Sequence, residues 1–199
     1  SFIIKDNGFD LWCKLENMEN GVALFSNKIS EPMDMTTQMV GKLANDIVTS
    51  LKVETKQDVM TSPTSNSEAY EYYLKGKYMY ENLKNMEELE ISRGLLEKSI
   101  KLDNNLLESR IQLGRTYLGI GANTFIPNKM INNNKAKDIF NNVLATAEKN
   151  GDKFWIGRSL RNIGIIFYYR EDSIALNYYN RSLEIANSIG DKEGMSLNI

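Results

Sequence analysis

The sequence predicts a mainly α fold, a solenoid of helix–turn–helix hairpins preceded by a small α+β segment of one β-hairpin and one helix. Three observations carry that expectation. First, a glycine on one helical stretch is followed three times by a small–large–small triplet on the next. The sets are Gly76 with Ser92/Leu96/Ser99, Gly114 with Ala136/Phe140/Val143, and Gly164 with Ala175/Tyr179/Ser182. Steps of four and then three place each triplet on one helix face, where small ends admit a neighbouring helix closely and the large residue fills the gap against the glycine. Second, the residues before Pro32 alternate with a period of two, the mark of strands. Third, none of Pro32, Pro63 and Pro127 falls inside a helical pattern, as suits a residue that ends helices and favours turns.

In the first segment, residues 1–52, Phe9, Leu11, Cys13 and Leu15 alternate with Asp10, Trp12, Lys14 and Glu16. The turn-rich run Asn17-Met18-Glu19-Asn20-Gly21 follows, and then a second alternating run opens at Val22. Two such runs joined by an Asn/Gly turn predict a β-hairpin. An isolated hairpin is marginal in water, so this one is expected to extend a larger sheet or to pack on the next helix. That helix is expected from about Thr36 to Leu51, with Met39, Leu43, Ile47 and Leu51 on its buried face. Residues 53–66 read as a linker because Thr61 to Ser67 is small and polar. Ser65 and Glu68 have the spacing of a capping box for the helix that follows.

From residue 67 to 199 the pattern is helical throughout. Helices are predicted over 67–83, 87–102, 106–119, 133–149, 153–169 and 173–189, with another starting near 192. Gly151-Asp152 and Gly190-Asp191 each pair a glycine stop with an aspartate start. Gly76 and Gly114 lie 38 residues apart, and Gly114 and Gly164 lie 50 apart. The longer spacing predicts an extended loop, placed at Ala122 to Asn134, which is Asn-rich and contains Pro127.

The bulk properties narrow the function classes. Formal net charge is −2 over 199 residues, which supplies no basic field for a nucleic-acid backbone. No apolar run approaches the roughly 20 residues of a membrane span. There is no histidine and a single cysteine, Cys13, so the commonest metal ligand and the commonest general base are both missing. No Asp-x-Asp-x-Asp-Gly loop, Gly-x-Ser-x-Gly elbow, Ser-x-x-Lys pair, phosphate-binding Gly-x4-Gly-Lys loop or Gly-x-Gly-x-x-Gly occurs. Glu87-Glu88 and Asp191/Glu193 read as solvated helix-start acids favoured by the macrodipole. Cys13 shares a strand face with Leu11 and Leu15 and reads as a small buried hydrophobe. The chain is expected to be no enzyme, with no cofactor and no metal.

The glycine and triplet pattern resembles the tetratricopeptide repeat family, whose unit is a helix–turn–helix of about 34 residues. The pairs Gly76/Met79, Gly114/Tyr117 and Gly164/Phe167 match the family's first-helix spacing, whereas Lys75 and Asn104 stand where leucine and a closing proline are usual. The resemblance implies about three units plus the start of a fourth, and a concave groove lined by the first helices. Carried onto this chain, the groove positions are Tyr70, Tyr73, Lys77 and Tyr80, then Glu108, Ile111, Arg115 and Leu118, then Arg158, Arg161, Ile165 and Tyr168. Tyrosine and arginine suit an interface, and the cations Lys77, Arg115, Arg158 and Arg161 face one acid, with Lys75 joining them if the register allows. The implied partner is a protein or peptide of acidic or carboxylate-bearing character.

A second resemblance covers the first fifty residues. Leu24-Phe25-Ser26-Asn27-Lys28-Ile29-Ser30-Glu31-Pro32 and Leu43 to Leu51 are similar to the end of a TolB-like (FlgO-like) α/β domain. In bacterial signalling proteins of that kind a class III adenylate or guanylate cyclase domain, or a winged-helix DNA-binding domain, stands upstream. The implied role is an interaction or scaffolding module of such a protein, or its regulatory carboxy-terminal region. The chain opens without an initiator methionine and closes within an amphipathic pattern, so it reads as a piece of something longer. Its location is then cytoplasmic, or periplasmic if a span precedes it. An incomplete last hairpin is expected to fray or self-associate, since solenoids need polar caps.

Overall fold

The computed structural model describes residues 1–5, 8–32, 43, 46, 47, 49, 50, 64–123, 126–168 and 173–196. They form a small antiparallel sheet followed by a mainly helical region, divided into two compact units, Ser1–Tyr70 and Glu71–Ile199.

In the first unit the expected hairpin is present as β2 (Gly8–Glu16) and β3 (Ala23–Pro32), and a third strand, β1 (Phe2–Lys5), pairs with β2 on its other side. Opposite residues include Leu15 and Phe25, Cys13 and Asn27, and Leu11 and Ile29. Every second residue therefore gathers on one face, where Phe25 and Ile29 are buried and Cys13 is half-buried. The connecting turn is closed by Asn17 N–H to the Val22 carbonyl at 2.9 Å, with Gly21 at φ 68°. That left-handed conformation is one a side chain rarely adopts. The other face departs from simple alternation, because Asp10 is buried and Lys28 Nζ lies 3.1 Å from its carboxylate. Asn27 Nδ2 donates to Asp46 Oδ2 at 3.3 Å, which brings a residue of the expected 36–51 helix over the face that carries Phe25. Leu43, Asp46, Ile47, Thr49 and Ser50 are helical. The rest of that helix, and the linker up to residue 63, lie outside the described residues.

The helical region comprises α1 (Ser67–Glu81), α2 (Met86–Leu102), α3 (Leu107–Ala122), α4 (Ile126–Asn150), α5 (Lys153–Tyr168), α6 (Ile174–Ile189) and the short α7 (Lys192–Ser196). Each helix from α2 onward packs on the next, and α3 also touches α5. The start of α1 differs from expectation. Asn66, not Ser65, is the cap, its Oδ1 accepting from the Ala69 N–H at 3.0 Å. The two glycine–aspartate turns are as expected. Gly151 and Gly190 take φ 68° and 72°, and Asp152 and Asp191 accept from the N–H groups of Trp155 and Gly194 at 3.1 and 2.9 Å.

The expected loop over 122–134 is largely helix instead. The long α4 starts at Ile126, which leaves Pro127 as its second residue, a position where no intrahelical partner awaits the missing N–H. Asn132 Nδ2 donates back to the Asn128 carbonyl at 2.9 Å, so this asparagine supports the helix it was expected to break. A Cβ added to Gly121 would sit 2.7 Å from Asn133 Oδ1; the extension lies close against the end of α3.

All three glycines meet the middle residue of their triplet. A Cβ on Gly76 would fall 2.7 Å from Leu96 Cγ, on Gly114 2.3 Å from Phe140 Cε1, and on Gly164 2.8 Å from Tyr179 Cε1. Ser92, Leu96, Ser99, Ala136, Phe140, Val143, Ala175 and Ser182 are buried. The small serines also satisfy their hydroxyls, Ser92 Oγ donating to the Gly76 carbonyl at 2.8 Å and Ser182 Oγ to the Gly157 carbonyl at 2.9 Å. Close backbone approach and hydroxyl pairing thus occur at the same contacts, which is why serine substitutes for alanine there at no desolvation cost.

Candidate functional site

A cationic cluster builds up from helix spacing alone. Arg158 and Arg161 are three residues apart on α5 and therefore share a face, and α3, which touches α5, presents Arg115. Arg161 feels both other guanidiniums. Burial first, then Arg115 and Arg158, holds its pKa below the ordinary arginine value. Lys77, on α1, belongs to the same field, because it acts on Glu193 along with Arg158 and Arg161. Arg115 lies over the Tyr80 ring, 5.2 Å from its centre, and its Nη1 donates to Gln112 Oε1 at 3.4 Å. Arg158 lies 4.8 Å from the centre of the Phe154 ring. Aromatic faces of this kind hold a guanidinium without neutralising it.

Several polar atoms in this region are buried without a hydrogen-bond partner among the described residues: Gln112 Nε2, Arg158 Nε, Ser159 Oγ, Arg161 Nε and Asn162 Oδ1. Gln112 is 4% exposed and Asn162 is fully buried. They occupy equivalent places, two residues before Gly114 and Gly164. Such atoms are costly unless a ligand or water completes them.

Two carboxylates reach the cluster, both at Arg158. Glu193 on α7 accepts from Arg158 through two bonds, Nη2 to Oε2 at 2.8 Å and Nη1 to Oε1 at 3.3 Å, and Asp191 Oδ2 stands 3.7 Å from Arg158 Nε. The Arg158 hydrogen bonds and charge hold the Glu193 carboxyl below its ordinary pKa. Asp191 does cap α7, as expected for a helix-start acid. Glu193 is an exposed acid in the first turn of α7, as expected, and its side chain also turns to Arg158. Nothing in the local sequence around Glu193 pointed to a partner 35 residues away.

Of the groove residues expected from sequence, Lys77, Tyr80, Arg115, Arg158 and Arg161 are brought together. Tyr73 is partly buried and packs on the hydrophobic core. Ile111 is 8% exposed and is a core residue, not a groove residue. Tyr168 is exposed, at the last position of α5. Tyr70 falls in the first compact unit and is described only there, half-buried in the first turn of α1. Lys75 stays out of the cluster, paired along α1 with Glu71. Glu108 sits apart as well; burial is the main cause that raises its pKa, with repulsion from Asp152 and Asp103 added.

Among the described residues no three His, Cys, Asp or Glu side chains are placed to hold a metal ion, and no helix is long and apolar enough to cross a membrane. No protein-family model matches this chain, and the searches for similar proteins and for similar solved structures gave no significant match.

Proposed function

We propose that the helical unit is a tetratricopeptide-like interaction module, and that the face carrying Lys77, Tyr80, Arg115, Arg158 and Arg161 binds an acidic peptide segment of a partner protein. The observation that carries this reading is the imbalance of that face. Arg161, partly desolvated, stands within electrostatic reach of both Arg115 and Arg158, and the acids that oppose the three guanidiniums, Glu193 and Asp191, both sit at Arg158. Like charges are assembled at a cost, and a folded chain keeps such an arrangement where a ligand of opposite charge repays it. Arginine in contact with tyrosine is also what interface anchors are made of. The proposed wider setting, a scaffolding or regulatory part of a bacterial signalling protein, rests on the TolB-like resemblance of residues 24–51.

The test is direct. A fluorescently labelled decapeptide of alternating glutamate and leucine is titrated against the wild type, Arg158→Glu and Arg161→Glu at two salt concentrations. Each variant is expected to weaken binding by about ten-fold or more, as loss of a charge-paired anchor does, and higher salt should weaken the wild type. Equal affinity across all three proteins would dispose of the groove.

A further inference from the structure

We propose that Glu193 is a built-in competitor for this groove: α7 occupies Arg158 until an acidic partner displaces it. The proposal rests on the peptide-binding reading above and adds its regulation.

The geometry of Arg158 is that of an occupied anion seat. Its guanidinium has an aromatic wall on Phe154 and a two-bond fork to one carboxylate, the arrangement by which arginine recognises carboxylates generally. Arg158 is 17% exposed, while the Glu193 side chain is 67% exposed. The acid therefore approaches from the solvent side, as a ligand would. Among the described residues Arg115 and Arg161 have no such fork: Arg115 rests on Tyr80 and Gln112, and the Nε atoms of Arg161 and of Arg158 itself are both buried without a hydrogen bond. A partner with two spaced carboxylates can replace Glu193 at Arg158 and also neutralise its neighbours, which Glu193 alone does not do.

The segment that carries Glu193 is suited to leaving. It follows a left-handed turn at Gly190. Its buried residue is Gly194, where an added Cβ would fall 2.4 Å from Asp191 Oδ2. Segments with few buried side chains open at low cost. An exposed ion pair is weak in itself. Held by a two-residue turn, however, it acts at high effective concentration, enough to exclude weak or singly charged competitors.

The experiment uses the same labelled Glu/Leu decapeptide with the wild type, Glu193→Gln and Glu184→Gln. Glu184 is an exposed acid on α6 and controls for net charge. Glu193→Gln is expected to tighten binding about two- to five-fold, the range an exposed pair can contribute, and Glu184→Gln to leave it unchanged. Adding the peptide to the wild type should speed amide exchange across Lys192–Ser196. If the wild type binds but Glu193→Gln binds no tighter than Glu184→Gln, or if the peptide slows exchange in α7, the competitor is overturned and the groove stands. If none of the three proteins binds the peptide, the groove fails and takes the competitor with it.

Discussion

Arg161 has the least favourable electrostatic environment in the cluster. Burial disfavours its charge, the guanidiniums of Arg115 and Arg158 disfavour it further, and its Nε is buried without a hydrogen bond among the described residues. Arginine does not lose its proton in proteins, so at working pH the side chain stays charged and the cost is constant. Glutamine at this position keeps some of the stem and removes the charge. Arg161→Gln is therefore expected to raise folding stability by about 0.5–1 kcal/mol, as relieving a functionally strained site commonly does, while weakening the acidic peptide. Thermal unfolding and peptide titration on the same preparation check both halves. A variant that loses stability as well as affinity would mean that Arg161 is a structural residue. The residues that read most clearly in the sequence were those fixed by helix spacing, such as Arg158 with Arg161. Residues completed by a distant chain segment did not, and Glu193 is the case in point.

Helix packing depends on the glycine contacts, and these were legible because they are local rules applied three times. Small residues at steps of four and three announce a close approach wherever they occur. The length of α4 was not legible, because proline and asparagine carry strong average preferences against helix. Here the chain overrides them with a proline placed where it costs nothing and an asparagine bonded to the preceding turn. Ile111 was misplaced for a related reason. Its position in the repeat resembles a groove position, but the packing of α3 puts it in the core. The contacts themselves separate two substitutions of the same chemistry. Gly114→Ala would drive a methyl to 2.3 Å from the fully buried Phe140 ring, which has nowhere to move. It is expected to cost about 1–3 kcal/mol. Gly94, exposed on α2, has nothing within 4 Å of an added Cβ. Gly94→Ala is expected to stabilise by about 0.5–1 kcal/mol through helix propensity alone. Urea unfolding of the two variants beside the wild type decides the matter. If Gly114→Ala is as stable as the wild type, the close approach of α3 and α4 is not what Gly114 is for.

At the scale of the whole molecule, the chain is two compact units held by different physics. The sheet unit depends on cross-strand pairing and on one apolar face centred on Phe25 and Ile29. The helical unit depends on a larger core, in which Leu96, Phe140 and Ile163 are fully buried. Buried apolar area sets stability per residue and rises with domain size, so the helical unit should be the more resistant of the two. The sequence supplies a reporter for each, since its two tryptophans are Trp12 on β2 and Trp155 on α5. Trp12 is partly exposed beside Lys28, whereas Trp155 is packed on the core and edge-on to Phe154. Trp155→Phe leaves the sheet unit as the source of the fluorescence, and Trp12→Phe leaves the helical unit. Followed by fluorescence through a urea titration, the Trp12 signal should change at lower denaturant than the Trp155 signal, because two units with separate cores have no reason to unfold as one. Circular dichroism in the helical band should track Trp155 in both variants. Coincident transitions by all three probes would show that the two units fold as a single cooperative body. The sheet would then contribute to the stability of the helices that carry the arginine cluster.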